Sequence, residues 1–176
     1  AAESHLRAEG IGPGDLFLFF GWFRDVLSNP WRFRPKAKHR HVLFGWLQVA
    51  ERIDAASACA PGWAGEHPHL IGRPYAGVDS VYVSTEWLDV PGLPPGLPGA
   101  GLFPRLAPTL VLTAPGQSRS IWRLPEGFAD SRGVCRLSYH RQRMCRPLTS
   151  GSVEIRAVAR GQEFVVDSTG LEPWLR

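Results

Sequence analysis

Residues 14–49 have the sequence GDLFLFFGWFRDVLSNPWRFRPKAKHRHVLFGWLQV. Two apolar runs, each with a Gly-Trp pair near its middle, flank an insert in which a cation occupies every second position from residue 32 to residue 40. Apolar runs of this length that are rich in aromatic and β-branched residues are typical of buried strands. We therefore predict two β-strands, at residues 15–23 and 41–53, joined by a basic loop or ribbon.

The composition is that of an ordinary globular protein, with 176 residues of which 44% are hydrophobic and 20% charged. We predict a single domain over residues 1–176 with its own core. Helical periodicity is scarce after the first nine residues, and further strands are predicted at residues 78–88, 110–113, 153–159 and 162–167. The predicted fold class is mainly β or α+β: a small closed or half-closed β-barrel with a few short helices and long Pro/Gly-rich loops.

Several classes of protein are excluded by what the sequence lacks. No apolar run approaches the roughly 20 residues of a membrane-spanning helix, and no signal peptide opens the chain, so we expect a cytoplasmic protein without a membrane partner. The three cysteines, Cys59, Cys135 and Cys145, have no CxxC spacing, which argues against a disulfide framework and a zinc site. No dinucleotide or P-loop motif joins a strand to a helix, and we expect no cofactor.

Positive charge is concentrated in two clusters, although the net charge is only +4. One is the insert, and the other is residues 131–152, where no acid occurs. Arginine suits a bidentate grip on phosphate, but GC-rich coding also favours it, and a charged edge strand that opposes aggregation would have the same pattern as the insert. The candidate phosphate contacts are Arg32, Arg34, Lys36, Lys38, Arg40, Arg141 and Arg143.

The second predicted strand alternates in a way that places Trp46 and Gln48 on one face. A flat ring beside a side-chain amide is suited to a planar heterocycle, because the ring stacks while the amide reads a hydrogen-bonding edge. A core tryptophan beside a satisfied glutamine would have the same pattern, so this alternative stays open. The candidate base-binding residues are Trp22, Trp46, Gln48, Trp87 and Trp122.

Histidine provides the candidates for catalysis or metal binding. The pairs His39/His41 and His67/His69 would each place both imidazoles on one side of an extended segment, but no further ligand motif completes a site, and we predict no metal. The absence of a GxSxG elbow argues against covalent catalysis. If the protein is an enzyme, its acid–base candidates are His67, His69, Tyr139 and His140.

A collinear series of short motifs resembles a known family. The motifs are GIGPGDLFLFFGWFR, HVLFGWLQV, HPH at residues 67–69, VYVS at 81–84, GAGLF at 99–103, RSIWRLP, SYH and GQEFV. With these motifs the chain resembles the nucleotide modification associated domain of type three, a bacterial family tied by gene neighbourhood to DNA base modification. The resemblance implies no activity for particular residues. Members of the family have an additional N-terminal portion, which we expect this chain to lack.

A more distant resemblance concerns the fold. The runs GDLFLFF and HVLFGWLQVAE resemble the wall of PUA-like domains, including the EVE and YTH types, which implies a PUA-like barrel that binds modified bases in an aromatic pocket. Together with the residues above, this resemblance favours a non-catalytic module that recognises a modified base in nucleic acid or in a nucleotide. Two alternatives stay open, an enzyme of base or nucleotide modification and a scaffold that contacts other proteins of a modification complex.

Overall fold

A computed structural model describes residues 2–54, 61–67, 79–141, 143–157, 163–171 and 174. This part of the chain contains one α-helix, α1 at Ala2–Ala8, and three short 3-10 helices at Gly62–Glu66, Pro108–Leu110 and Glu126–Phe128. Its strands are β1 Leu16–Phe23, β2 Val26–Ser28, β3 Trp31–Phe33, β4 Arg40–Asp54, β5 Ser80–Ser84, β6 Ala100–Leu102, β7 Ile121–Pro125, β8 Arg146–Leu148 and β9 Ser152–Arg156.

The described strands form three sheets. Strands β1, β4 and β5 lie in that order in one sheet, where β6 also pairs with β4, while β2 pairs with β3 and the third sheet has the order β7, β9, β8. The predicted mainly β fold is confirmed. The sheets are open within the described residues and do not close into the predicted barrel, because strands of three residues such as β2, β3 and β8 make too few backbone hydrogen bonds to join one sheet to the next.

Four of the predicted strands correspond to observed ones, and two do not. The predictions at residues 15–23, 41–53, 78–88 and 153–159 correspond to β1, β4, β5 and β9. Residues 110–113 instead leave a 3-10 turn and form only single bridges. Residues 163–167 form no strand, because the Val165 N–H donates to the Ser138 hydroxyl at 2.8 Å while the Ser138 N–H donates to the Val165 carbonyl. A side chain takes the place of a neighbouring strand.

By its contacts the chain divides into two compact units. Unit 1 comprises Ala1–Phe17 and Trp46–Gly101, and unit 2 comprises Leu18–Gly45 and Leu102–Arg176. The single domain over residues 1–176 stays a prediction. Among the described residues no helix is long and apolar enough to cross a membrane.

In unit 1, polar contacts tie α1 to β4 and β5. The Arg7 guanidinium pairs with Asp54 and, at 3.2 Å, with Glu3 of its own helix. The Tyr82 hydroxyl donates to Glu3 at 3.2 Å, and burial together with this carboxylate raises the pKa of Tyr82 to about 12. The helix is therefore held by charged and polar groups that β4 and β5 present.

The Pro/Gly-rich connector at residues 91–101 is closely packed within unit 1. Its backbone closes on the segment after β5, with the Gly99 N–H donating to the Glu86 carbonyl at 3.0 Å. A Cβ at Gly99 would collide with the Thr85 carbonyl, and one at Gly101 would lie 2.5 Å from Cζ2 of Trp46. Glycine is required at these two positions because backbone and ring occupy the space of a side chain.

The hydrophobic core of unit 2 surrounds Trp122 on β7, which is only 3% exposed. Phe20 and Phe164 contact it edge-to-face, with ring centroids 5.0 and 5.3 Å away. Strand alternation explains the arrangement of β1, because Leu18 and Phe20 pack against the core while Phe19 lies against Phe44 instead. One face of the aromatic strand builds the core, and the other face is left for contacts outside it.

Candidate functional site

Exposed aromatic side chains and cations gather in unit 2, within residues 18–45. The most exposed rings are Trp31 at 78%, Phe33 at 59% and Trp22 at 51%. Large aromatic side chains are ordinarily buried, so a cluster that is half exposed indicates a surface that meets a ligand. We call the set the aromatic–basic surface; its members are Phe19, Trp22, Phe23, Trp31, Phe33, Phe44, Arg24, Arg32, Arg34, Lys36, Lys38 and Arg40.

The hairpin of β2 and β3 organises the outer part of this surface. Phe33 pairs with Val26 and Trp31 with Ser28, so the two rings share one face of the hairpin while Arg32 points to the other. The extended backbone ends after Phe33, since residues 35 and 36 form a turn in which Lys36 has a φ of 57°. The alternating cations of the insert therefore do not share a single strand face, as an extended insert would require.

Four cations of this surface are available to a ligand. Four exposed cations of the surface form no ion pair within the described residues, namely Arg32, Arg34, Lys36 and Lys38. Arg40 differs, because its Nη2 lies 2.8 Å from both carboxylate oxygens of Asp25. The insert thus contributes four uncompensated charges, while Arg40 offsets the nearby acid.

Two guanidinium groups lie over exposed rings. The central carbon of Arg24 is 3.8 Å from the centroid of the Phe33 ring, and that of Arg119 is 4.0 Å from the Trp22 ring. Cation–π contacts of this kind attract the cation to the face of the ring. The surface therefore presents two cations whose positions are supported by its rings.

A cleft of about 230 Å³ opens beside the Phe23 and Phe44 rings, whose centroids are 6.1 Å apart. Its polar lining comes from Arg24, Arg40 and Arg105 together with Asp25, and its apolar lining includes Phe103 and Leu110. Pockets for drug-sized ligands span about 300–1,000 Å³. A cleft of this size suits one planar ring system with a negatively charged substituent, and is too small for a dinucleotide.

Gly21 allows one wall of this cleft to form. A Cβ at this position would lie 2.9 Å from Cε2 of Phe23, which is two residues further along β1 on the same face. The Phe23 ring therefore folds back across the glycine. This is the close approach that a glycine inside a strand predicts.

Gln48, a predicted base-reading residue of unit 1, is 5% exposed and bonded to backbone. Its amide nitrogen donates to the carbonyls of Gly14 and Asp89 at 3.2 and 2.8 Å, and its amide oxygen accepts the Asp89 N–H at 2.7 Å. The two N–H groups of the side chain are thereby used. This geometry agrees with the alternative given in the sequence analysis, a glutamine whose amide is already hydrogen-bonded within the protein.

The four candidate tryptophans differ in what they offer a ligand. Trp122 lies in the core of unit 2, and Trp46 is half-buried in unit 1, where its indole N–H donates to the Pro98 carbonyl at 3.0 Å. Trp22 of unit 2 and Trp87 of unit 1 are each more than half exposed. Trp22 and Trp87 are therefore the most exposed rings of the predicted pocket.

Sequence reasoning passed over the phenylalanines and Trp31. A signal was present in WRFR at residues 31–34, where rings and cations alternate. This alternation places rings on one side of an extended ribbon and charge on the other. Only the two arginines of this segment are among the site residues predicted from the sequence.

Both histidines of the His39/His41 pair accept a hydrogen bond from an indole. Trp22 donates to Nδ1 of His39 at 2.8 Å, and Trp122 donates to Nδ1 of His41 at 2.9 Å. Burial and, secondarily, the charge of Arg119 lower the pKa of His41. Among the described residues there is no group of three or more His, Cys, Asp or Glu side chains that is placed to hold a metal ion.

The catalytic candidates differ in exposure and in the unit to which they belong. His140 is 1% exposed, and its ring nitrogens lie 3.2 Å from the Ser138 carbonyl and 2.9 Å from the Arg156 carbonyl. Tyr139 is 45% exposed. His67 belongs to unit 1, and His69 lies outside the described residues. Their role in acid–base chemistry stays a prediction.

The second basic cluster, residues 131–152, is largely paired with acids from outside it. The pairs are Arg132 with Asp130 at 3.2 Å, Arg146 with Glu154 at 3.3 Å, and Arg136 with Asp167 at 3.5 Å. Arg136 also donates to the carbonyls of Gly127 and Thr169. Arg141 and Arg143, the two phosphate candidates of this cluster, are exposed.

One of three comparisons with known proteins gives a match. The family described as nucleotide modification associated domain 3 matches residues 1–167, a range that includes every candidate residue named above. No curated protein and no solved structure matches, so the resemblance to PUA-like folds is not confirmed. Because the match spans most of the 176 residues, the chain belongs to the nucleotide modification associated domain 3 family.

Proposed function

We propose that this protein is a non-catalytic module that binds nucleic acid through the aromatic–basic surface and recognises a modified base in the cleft at Phe23 and Phe44. One observation carries the proposal. Six exposed aromatic rings and four cations without an ion pair among the described residues come from one continuous segment of one unit. Membership of a family described by nucleotide modification agrees with such a ligand.

The combination of rings with charge distinguishes nucleic acid from other ligands. A protein interface is usually depleted of charge at its centre, whereas here the Arg24 guanidinium lies over the exposed Phe33 ring. Cations neutralise phosphates and rings stack on bases, with stacking worth about 1–3 kcal/mol per base. Both ligand features are matched by this hairpin.

The cleft supports recognition of a single unstacked base. Removing a base from a duplex costs a few kcal/mol, and less when the base is unpaired. Single-stranded DNA is therefore the expected ligand, with duplex DNA bound more weakly. The arginine edges at Arg24 and Arg105 would read an added polar or charged substituent on the base, because they offer several N–H donors in a plane.

Fluorescence anisotropy with labelled single strands of about 12 nucleotides tests this proposal. The salt concentration is kept at about 0.1 M, because phosphate contacts weaken steeply with salt. The strands carry either ordinary cytosine or cytosine with an enlarged polar substituent at C5. We expect tighter binding of the modified strand, and a loss for Trp31→Ala of about 5- to 150-fold, the equivalent of one stacked base. Mass spectrometry of the recovered strands is expected to show no chemical change.

The matched control is Trp63→Ala, which removes another mostly exposed tryptophan (63%, against 78% for Trp31) from unit 1. Equal affinities of the Trp31→Ala and Trp63→Ala proteins would contradict the assignment of the surface. Phe44→Ala addresses the cleft separately, because its ring lies against Phe23 in the lining. If modified and ordinary strands bind equally in a panel of base modifications, the recognition of a modified base is refuted while binding to single strands stands.

A further inference from the structure

Two hydrogen-bond donors face each other at Arg24 and His39. The Trp22 indole N–H lies 2.8 Å from Nδ1 of His39, a full-strength hydrogen bond that Nδ1 must accept. A neutral imidazole has one acceptor nitrogen, so its proton is then on Nε2. Nε2 lies 3.5 Å from Nη1 of Arg24, which is also a donor. Both nitrogens are donors in this tautomer, so Nη1 of Arg24 and Nε2 of His39 do not form a hydrogen bond with each other.

Arg24 has a further donor without a partner. Its Nε is buried and makes no hydrogen bond within the described residues. A buried N–H left unpaired costs about 1–3 kcal/mol, and more on a charged group. The side chain is nevertheless held in place, because its guanidinium lies on the Phe33 ring.

We propose that Arg24 and His39 form an oxyanion subsite that takes a phosphate group of a nucleotide or of nucleic acid. Because the two nitrogens are 3.5 Å apart, an oxygen atom to one side of the line that joins them can lie about 2.8 Å from both, the usual length of a charge-assisted hydrogen bond. The subsite deepens the proposed function and rests on it. Trp22 is its positioning residue, since its indole N–H sets the tautomer of His39.

The charges around the subsite favour an anion. Arg119 lies on the Trp22 ring next to His39, and the nearest acid in sequence, Asp25, is paired with Arg40. In the described part of the chain, neither Arg24 nor His39 forms an ion pair with a carboxylate. A phosphate would thus meet the Arg24 guanidinium and the imidazole N–H, while the neighbouring carboxylate of Asp25 is offset by Arg40.

Arg24 also lines the cleft at Phe23 and Phe44, which connects the subsite to the base. A single nucleotide could place its phosphate at Arg24 and His39 and its base against the phenylalanine rings. The Trp22 ring, half exposed, borders the phosphate and not the base. One arginine therefore links recognition of the backbone with recognition of the base.

Titrations with inorganic phosphate, a deoxynucleoside monophosphate and an abasic single strand test the subsite in the full chain, followed by NMR of the histidine side-chain nitrogens. We expect phosphate to shift the Nε2 signal of His39. Arg24→Gln and His39→Phe should each weaken the bound probe at least about tenfold, as expected for one hydrogen bond to a charged group. Binding of the monophosphate identifies a phosphomonoester ligand, and binding of the abasic strand a phosphodiester.

The matched control is Arg132→Gln, an identical change of charge on an exposed side chain of unit 2 that lies outside the aromatic–basic surface. We expect less than about a threefold effect, because exposed charges contribute little individually. Equal losses for Arg24→Gln and Arg132→Gln, or an unshifted His39 signal, would overturn the subsite. Trp22→Phe keeps a ring beneath Arg119 but removes the indole donor. It should mix the two His39 tautomers in the nitrogen spectrum and weaken phosphate binding.

Two further readings separate the outcomes. If the Arg24→Gln protein binds single strands as tightly as the wild-type protein does, the subsite is refuted and the proposed function stands. If the wild-type protein binds no single strand, the proposed function itself is refuted. The indole signal of Trp122 reports folding of unit 2 in every variant. Arg24→Lys, which keeps the charge but not the planar fork, replaces Arg24→Gln if that signal is displaced, and the same tenfold loss is expected.

Discussion

At the scale of single residues, Gln48 shows why a pattern has two meanings. Strand alternation was sufficient to pair it with Trp46, but it carries no information on what the amide bonds to. That answer depends on Gly14 and Asp89, which are 34 and 41 residues away in the sequence. Side-chain partners at such separations follow from tertiary structure, which local periodicity does not encode.

Replacing Gln48 by alanine is expected to lower stability and leave strand binding unchanged. The change removes three partly buried hydrogen bonds of the Gln48 amide. Since each hydrogen bond contributes about 0.5–1.5 kcal/mol, we expect the free energy of unfolding to fall by about 1–3 kcal/mol. Urea denaturation measures it. The exposed Gln117→Ala serves as control, with an effect below about 0.5 kcal/mol; unchanged stability with lost base preference would instead restore Gln48 as a reader of bases.

The half-buried His41 is expected to make stability depend on pH. Its pKa in the folded protein is lowered, chiefly by burial, so the unfolded chain takes up a proton first when the pH falls below about 6.5. Stability is complete above that pH and decreases as the pH falls toward the folded-state pKa. Urea midpoints between pH 8 and pH 5 should fall less steeply for His41→Gln, and identical slopes in the two proteins would contradict this role.

At the scale of elements, long strands were predictable from the sequence and short ones were not. The runs that became β1 and β4 hold eight and fifteen residues, long enough for an apolar pattern to be recognised. Strands β2 and β3 have three residues each, and three positions do not distinguish a strand from a loop. The hairpin that presents Trp31 and Phe33 was therefore missed, although its cations were predicted.

Strand β6 depends on a glycine where it passes the Trp46 ring. Gly101→Ala would place a Cβ 2.5 Å from Cζ2 of Trp46, so we expect a loss of about 1–3 kcal/mol in the free energy of unfolding, typical of overpacking. Gly62→Ala, at a site with nothing within 4 Å of the added Cβ, is the control. A smaller ring in Gly101→Ala/Trp46→Phe should recover part of the loss, and strict additivity of the two changes would argue against the contact.

At the scale of the whole molecule, composition predicted the class of fold but not the distribution of charge. Both basic clusters looked alike in the sequence, yet Asp130, Glu154 and Asp167 compensate arginines of the second. These acids lie outside residues 131–152, and one of them, Asp167, is 31 residues from its partner Arg136, a separation at which the sequence alone does not indicate a pair. Within the described residues, Arg40 is the one cation of the first cluster that pairs with a carboxylate, so the other four keep their charge.

The salt dependence of strand binding is expected to originate mainly in that first cluster. Each phosphate contact with a single strand contributes about 0.7 to the slope of log affinity against log salt concentration. Replacing Arg32, Arg34, Lys36 and Lys38 by glutamine should reduce the magnitude of this slope by about 3. The corresponding double change Arg141→Gln/Arg143→Gln tests the second cluster, and a larger reduction there would relocate the phosphate contacts.

The paired indoles have a consequence for hydrogen exchange. His39 and His41 are two residues apart, yet one accepts its hydrogen bond at the surface of unit 2 and the other inside it. The Trp122 indole proton is therefore expected to exchange with deuterium only when unit 2 opens, while the Trp22 proton exchanges from the folded state. A ligand at Arg24 and His39 would slow exchange of the Trp22 indole proton. It would slow exchange of the Trp122 indole proton only by the amount that ligand binding stabilises the fold.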